Sequence, residues 1–170
     1  MTVKCLSSNL PKYDHIIRWC LEDILQLNDY ELTIQYCTLL NCSGRFLDPN
    51  NIQIDQNLDE VKIIRTLFHE IRHYYQKINQ MFDFDFEKYT TEIKMKDNNE
   101  DDYTVFRDSD IENMIKTVLL EYYHSYLNFP WELDATKFST ETYGKYLATG
   151  KEDCRKHLWQ GNYENYDNTG

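Results

Sequence analysis

The chain has 170 residues, with 18 lysines and arginines against 29 aspartates and glutamates and a formal net charge of −11. That length supplies one domain's worth of core, and apolar residues at 41% with aromatics at 15% exclude a wholly disordered acidic chain. No Lys/Arg cluster interrupts the acidic surplus, which argues against a protein that grips nucleic-acid phosphates.

Residues 1–8 contain no apolar signal-peptide segment, and no 18-residue uncharged run occurs anywhere, so a soluble cytoplasmic protein without a membrane partner is expected. Cys5, Cys20, Cys37, Cys42 and Cys154 are odd in number and include no Cys-x-x-Cys; they read as buried free thiols.

In chain order, Pro11 suits a first helical position. Tyr13, Ile16, Ile17, Cys20, Leu21, Ile24 and Leu27 then recur at helical spacing until Asn28-Asp29. The period changes to two in Glu31–Tyr36 and again in Asn51–Asp55, with Ser43-Gly44 and Asp48-Pro49-Asn50-Asn51 as turns. These segments predict a small, mostly antiparallel sheet of about three strands.

From Leu58 to about Phe82 a helical pattern returns, with Ile64, Leu67, Ile71, Tyr74, Ile78 and Met81 forming a stripe expected to pack on the sheet. Residues 83–106 read as a hairpin or a flap, with a solvated acidic run at 97–102. Ser109-Asp110-Ile111-Glu112 is a capping box opening another helix. Phe129-Pro130-Trp131 breaks the pattern, and a helix beginning near Glu132 is expected to run to Leu147, before Gly150. The fold class is α+β, with residues 1–150 as a single domain and 151–170 as a partly ordered tail.

The chemistry concentrates in Phe68-His69-Glu70-Ile71-Arg72-His73-Tyr74-Tyr75-Gln76, which holds His-Glu-x-x-His inside a segment already read as helix. Histidines four apart lie one turn apart on one helix face, so both imidazoles can reach one Zn2+. Glu70 beside them can take a proton from a zinc-activated water and hand it to a leaving amine. At about 100° per residue the apolar stripe lies roughly 160° from the mean direction of His69 and His73, so the histidines are expected to face away from the main core.

A catalytic zinc needs a third protein donor. Glu132 is the first choice and Asp134 the alternative, since positions i and i+2 diverge by about 200° on a helix. With Glu132 as the ligand, Asp134 is left to hydrogen-bond a histidine ligand or, more simply, to act as helix N-terminal charge. His124 and His157 are the remaining donors, and His157 reads as a surface residue. Tyr123, His124 and Tyr126 are candidates for oxyanion stabilisation, while Arg72 and Gln76 flank the histidines as candidates for orienting substrate or the ligand-bearing helix.

His69-Glu70-x-x-His73, followed by Pro130-Trp131-Glu132-Leu133-Asp134-Ala135, resembles the minimal gluzincin metallopeptidases. The pattern is most similar to the ImmA/IrrE-like metallopeptidases of bacteria and their phages. The resemblance spans roughly residues 10–147 and implies a zincin-like fold and a zinc-dependent hydrolase, a metalloprotease with a narrow protein or peptide substrate. It also implies zinc on His69, His73 and Glu132, with Glu70 as catalytic base. The second motif departs from the family's usual Glu-x-Glu-Ala, which leaves Glu132 and Asp134 both in play. Two other functions fit the residues: an acidic binding or inhibitor protein on a zincin scaffold, and a structural zinc site with all four positions filled.

Overall fold

The computed structural model describes residues 2–83 and 129–159. The expected flap at 83–106 beyond Asp83, the acidic run, the capping-box helix, Tyr123, His124 and Tyr126 lie outside the described residues. The chain divides into two compact units, one of Met1–Asn79 with Ala135–Gly170 and one of Gln80–Asp134.

The first unit is mixed α and β. Its sheet contains β1 (Lys4–Ser8), β2 (Tyr30–Cys37), β3 (Gly44–Leu47) and β4 (Asn51–Asp55) in the order β1-β2-β4-β3. The sheet is larger than the three strands expected from sequence, and its sense is different. β1 pairs parallel with β2, β2 parallel with β4, and only β3 with β4 is antiparallel.

Physical reasons for both differences are visible. In Lys4-Cys5-Leu6-Ser7-Ser8 the two apolar residues are adjacent and do not alternate with polar ones, so β1 leaves no periodic signature; Cys5 and Cys42, expected to be buried, are exposed because β1 is an edge strand and Cys42 lies in the loop before β3. β1 is held as an edge by backbone pairing, extended by Asn9, whose side chain donates to Tyr36 O at 2.9 Å and accepts from Tyr36 N at 2.7 Å. The intervening helix returns the chain to start β2 in the same direction as β1, as a parallel pair requires. The two-residue alternation of β2 and β4 reports burial of one face, and it carries no information about strand sense.

Leu32, Ile34, Tyr36, Ile52 and Ile54 project from one face into the core. The first helical segment supplies Tyr13, Ile16, Ile17, Trp19, Cys20 and Leu21, at the spacing expected. It begins as a 3-10 turn at Pro11–Tyr13, becomes α1 (Asp14–Arg18), and widens to π geometry over Trp19–Ile24.

Helix α2 (Glu60–Ile78) starts at Asp59, whose carboxylate accepts from Lys62 N at 2.9 Å. Ile63, Ile64, Leu67, Phe68, Ile71 and Tyr74 are buried. Ile78 and Met81, expected in the same stripe, are exposed. The sheet contact ends at Tyr74, which lies 6.4 Å from Phe46 between ring centroids and accepts Glu31 N through its hydroxyl. One turn later Asn79 closes the helix by donating through both backbone and side chain to Tyr75 O. Where α2 crosses β3 the backbone has no room for a side chain: a Cβ on Gly44 would stand 2.6 Å from Thr66 Cγ2.

Helix α3 (Pro130–Lys145) carries Glu132 in its first turn and, from Ala135 onward, contributes to the first unit. Ser139 Oγ donates to Arg65 O at 2.7 Å, and Arg65 and Arg72 lie over the rings of Tyr143 and Phe138. The chain does not stop at Gly150. It passes through a π segment (Tyr146–Gly150) and a single turn, α4 (Lys151–Asp153), to a 3-10 segment (Cys154–Trp159). Gly150 is needed here for its lack of a side chain, because a Cβ would meet the Trp19 ring at 2.8–2.9 Å.

The last turn docks on the end of the first helical segment. His157, expected on the surface, is 2% exposed, with Nε2 3.4 Å from Asp23 and Nδ1 3.9 Å from Glu22; Lys156 pairs with Asp23 at 2.7 Å. Burial works to raise the Glu22 carboxyl pKa, but hydrogen bonds from Lys4 and Tyr30 outweigh it and leave the group below its usual value. In the second unit, Trp131 stacks on Phe129 at 4.8 Å between centroids and meets Phe82 edge-on at 6.5 Å. No helix among the described residues is long and apolar enough to cross a membrane.

Two stability measurements test this packing. Gly150→Ala drives a methyl into a buried indole and is expected to cost about 1–3 kcal/mol in urea unfolding. Gly144→Ala meets nothing within 4 Å on helix α3 and is expected to gain about 0.5–1 kcal/mol.

The second measurement follows pH. Burial, with the His157 charge second, holds the His15 imidazole below its usual 6.5. The unfolded chain therefore binds the proton first, so this stabilisation is complete above about pH 6.5 and is lost as pH falls through the depressed folded value. His15→Gln is expected to flatten the urea-midpoint profile between about pH 7 and 5 relative to wild type. An unchanged slope would assign that dependence to other groups.

Candidate metal centre

His69, Glu70 and His73 occupy the middle of α2, bracketed by Thr66 over Gly44 and Tyr74 beside Phe46. The apolar face of the helix is committed to the sheet, and the 3.6-residue repeat turns these three side chains to the remainder of the circumference. That remainder is not a solvated face. Glu70 and His73 are 6% and 7% exposed, and His69 is half-buried.

One potential ligand atom from each of the three residues lies within 4.8 Å of the others, so the cluster can hold a metal ion. The two imidazoles stand edge to face, 4.8 Å between centroids, with His73 Nε2 3.2 Å from His69 Nε2. A tetrahedral zinc with bonds of about 2.0–2.1 Å holds two imidazole nitrogens about 3.3 Å apart, so the observed convergence already matches the spacing that a shared ion requires.

The second nitrogen of His73 is also engaged. Its Nδ1 lies 2.9 Å from Oε1 of Gln76, one turn further along the helix, and Gln76 is fully buried. Sequence reasoning placed Gln76 beside the histidines without assigning it a partner. The available signal was its offset: positions 69, 73 and 76 share one face, and a neutral amide there continues a polar stripe where surface variation would more commonly supply a charge. Arg72, also read as flanking, lies over the Tyr75 ring at 4.7 Å and the Phe138 ring at 5.0 Å, where it joins α2 to α3.

Glu132 and Asp134, the two candidates for a further donor, occupy the first turn and a half of α3. Glu132 is buried and Asp134 half-buried; both belong to the second unit. Local sequence explains the helix start that carries them, since Phe129 O accepts from Glu132 N at 2.9 Å and from Leu133 N at 3.0 Å, while Pro130 needs no acceptor. His157, the remaining sequence candidate among the described residues, is buried beside Asp23 and Glu22 at the C-terminal turn.

No protein-family model, curated protein or solved structure matches this chain. Added zinc is expected to raise the thermal midpoint of wild type, with stabilisation of about 2.7 kcal/mol when free zinc is about a hundred times its Kd. His73→Ala is expected to abolish that shift. Because α2 is anchored by its sheet contacts and both caps, chelation is expected to leave the far-UV circular dichroism unchanged; unfolding on chelation would mark a structural metal instead.

Proposed function

We propose that this chain is a zinc-dependent metallopeptidase of the His-Glu-x-x-His type, built on a zincin-like fold. The observation that carries the reading is the convergence of two imidazole nitrogens at 3.2 Å beside a buried carboxylate on one helix face. Zinc, when bound, polarises water and the scissile carbonyl. The residues of the chain supply the remaining chemistry.

Glu70 is the proton carrier. Its carboxylate accepts a proton from the attacking water and returns it to the amine that leaves, so that one side chain is base and then acid within a single cycle. Its burial suits that exchange, because a nearly dry carboxylate interacts strongly with any charge that develops beside it. His69 and His73 bind the metal. The further donor rests on the sequence reading, Glu132 with Asp134 as the alternative.

Peptide recognition is assigned to the edge of the sheet. Among the described residues β3 pairs with β4 alone, and it runs beneath the two turns of α2 that hold the histidines, as the Gly44–Thr66 and Phe46–Tyr74 approaches record. An extended polypeptide can add to such an edge through main-chain hydrogen bonds.

The test is hydrolysis of a complex peptide library, read by mass spectrometry, together with metal content. Wild type is expected to cleave and to hold about one zinc per chain. Glu70→Gln should keep the metal and lose about 10²–10⁴-fold in rate. Full activity in that variant would remove Glu70 from the chemistry, and absence of metal in wild type after incubation with zinc would overturn the reading. Metal retention compared between Glu132→Ala and Asp134→Ala names the further ligand.

A further inference from the structure

We propose that Gln76 is a positioning residue for the centre, which fixes the tautomer and ring direction of His73 from inside the protein. The role rests on the reading of the centre as a metal site. Its mechanism, however, can be read without metal.

The amide oxygen of Gln76 stands 2.9 Å from His73 Nδ1. A carbonyl oxygen only accepts, so Nδ1 carries the proton and donates it. A neutral imidazole has one protonated nitrogen, and Nε2 is then left as a lone pair directed at His69 Nε2, 3.2 Å away. The opposite tautomer would place a hydrogen on Nε2, where a metal bond has to form. Gln76 thus selects the binding-competent form before any ion arrives.

Burial separates this role from packing. Gln76 is 0% exposed, and an amide removed from water costs free energy unless it is hydrogen-bonded. Leucine or methionine would fill a wholly buried position on α2 without that requirement. A neutral acceptor also differs in kind from the carboxylate that often supports a ligating histidine. It orients the ring without adding negative charge to a cluster that already contains Glu70.

The experiment compares wild type with Gln76→Leu, Gln76→Met and Gln76→Glu. Leucine and methionine remove the acceptor at similar volume, whereas glutamate restores an acceptor oxygen. Long-range 1H–15N correlation spectra of the metal-free proteins report the His73 tautomer directly. The Nδ1-protonated form is expected in wild type and in Gln76→Glu, with a shift toward Nε2 protonation in whichever of the two apolar variants folds. Zinc affinity, measured by competition with a chromogenic chelator, is expected to weaken about 10–100-fold in the apolar variants and to recover in Gln76→Glu.

An Nε2-protonated His73 in wild type, or an unchanged tautomer in the apolar variants, overturns the inference. Zinc binding in the apolar variants as tight as in wild type does the same. If wild type binds no zinc at all, the metal reading fails while the tautomer comparison still decides what Gln76 does.

Discussion

Helix α2 has to satisfy two neighbours at once. Toward the sheet it presents Ile63, Ile64, Leu67, Ile71 and Tyr74, and it approaches β3 so closely that Gly44 has no space for a methyl against Thr66. From other parts of its circumference, Arg65 and Arg72 reach the aromatic rings of α3. A helix committed in several directions can neither roll nor slide without losing apolar burial on one side or ring contacts on another. The positions of His69, Glu70 and His73 follow from that restraint, since side chains fixed on an immobilised helix keep their mutual geometry whether or not a ligand is present.

The part of this arrangement that could be read from sequence is the part governed by local periodicity. The runs in Tyr13–Leu27 and Ile64–Tyr74 repeat at 3.6 residues, β2 and β4 alternate, and the Asp48-Pro49-Asn50 turn separates β3 from β4 where expected. Elements decided by distant partners were not readable. β1 has no apolar alternation and is a strand because β2 offers it a backbone to pair with. Ile78 has the right spacing but lies past the end of the sheet contact. Gly150 looks like a helix stop because glycine commonly ends helices, yet it marks a crossing over Trp19, and the chain continues to bury Cys154 and His157. The same distinction holds at the candidate centre. Its two histidines and glutamate follow from spacing alone, whereas the inward turn of Gln76 depends on what fills the space beside it.

An ionic cluster around Glu22 and Asp23 shows how one small region ties several segments together. Lys4 from β1, Glu22 and Asp23 from the first helical segment, Tyr30 from β2, and Lys156 and His157 from the C-terminal turn all meet there. Individually such pairs contribute little where they are exposed. Here His157 is buried and Glu22 is half-buried with its carboxylate held by Lys4 and Tyr30, so removing one partner leaves a polar group with little solvent to replace it. The cluster thus gives the C-terminal turn a defined docking place on a strand-and-helix unit made more than a hundred residues earlier.

That return has a consequence for how the chain reaches its native state. The first unit is assembled from two stretches separated in sequence, and Ser139 meets the Arg65 carbonyl across a sequence separation of 74. During synthesis, β1 to α2 can pair and collapse as soon as they emerge, but the contacts with Phe138, Ser139 and Tyr143 form only after residues 80–134 have also been made. Such long loop closures raise contact order and slow folding. Until they form, Arg65 and Arg72 of the helix that carries the histidines lack the aromatic rings that cover them in the folded unit.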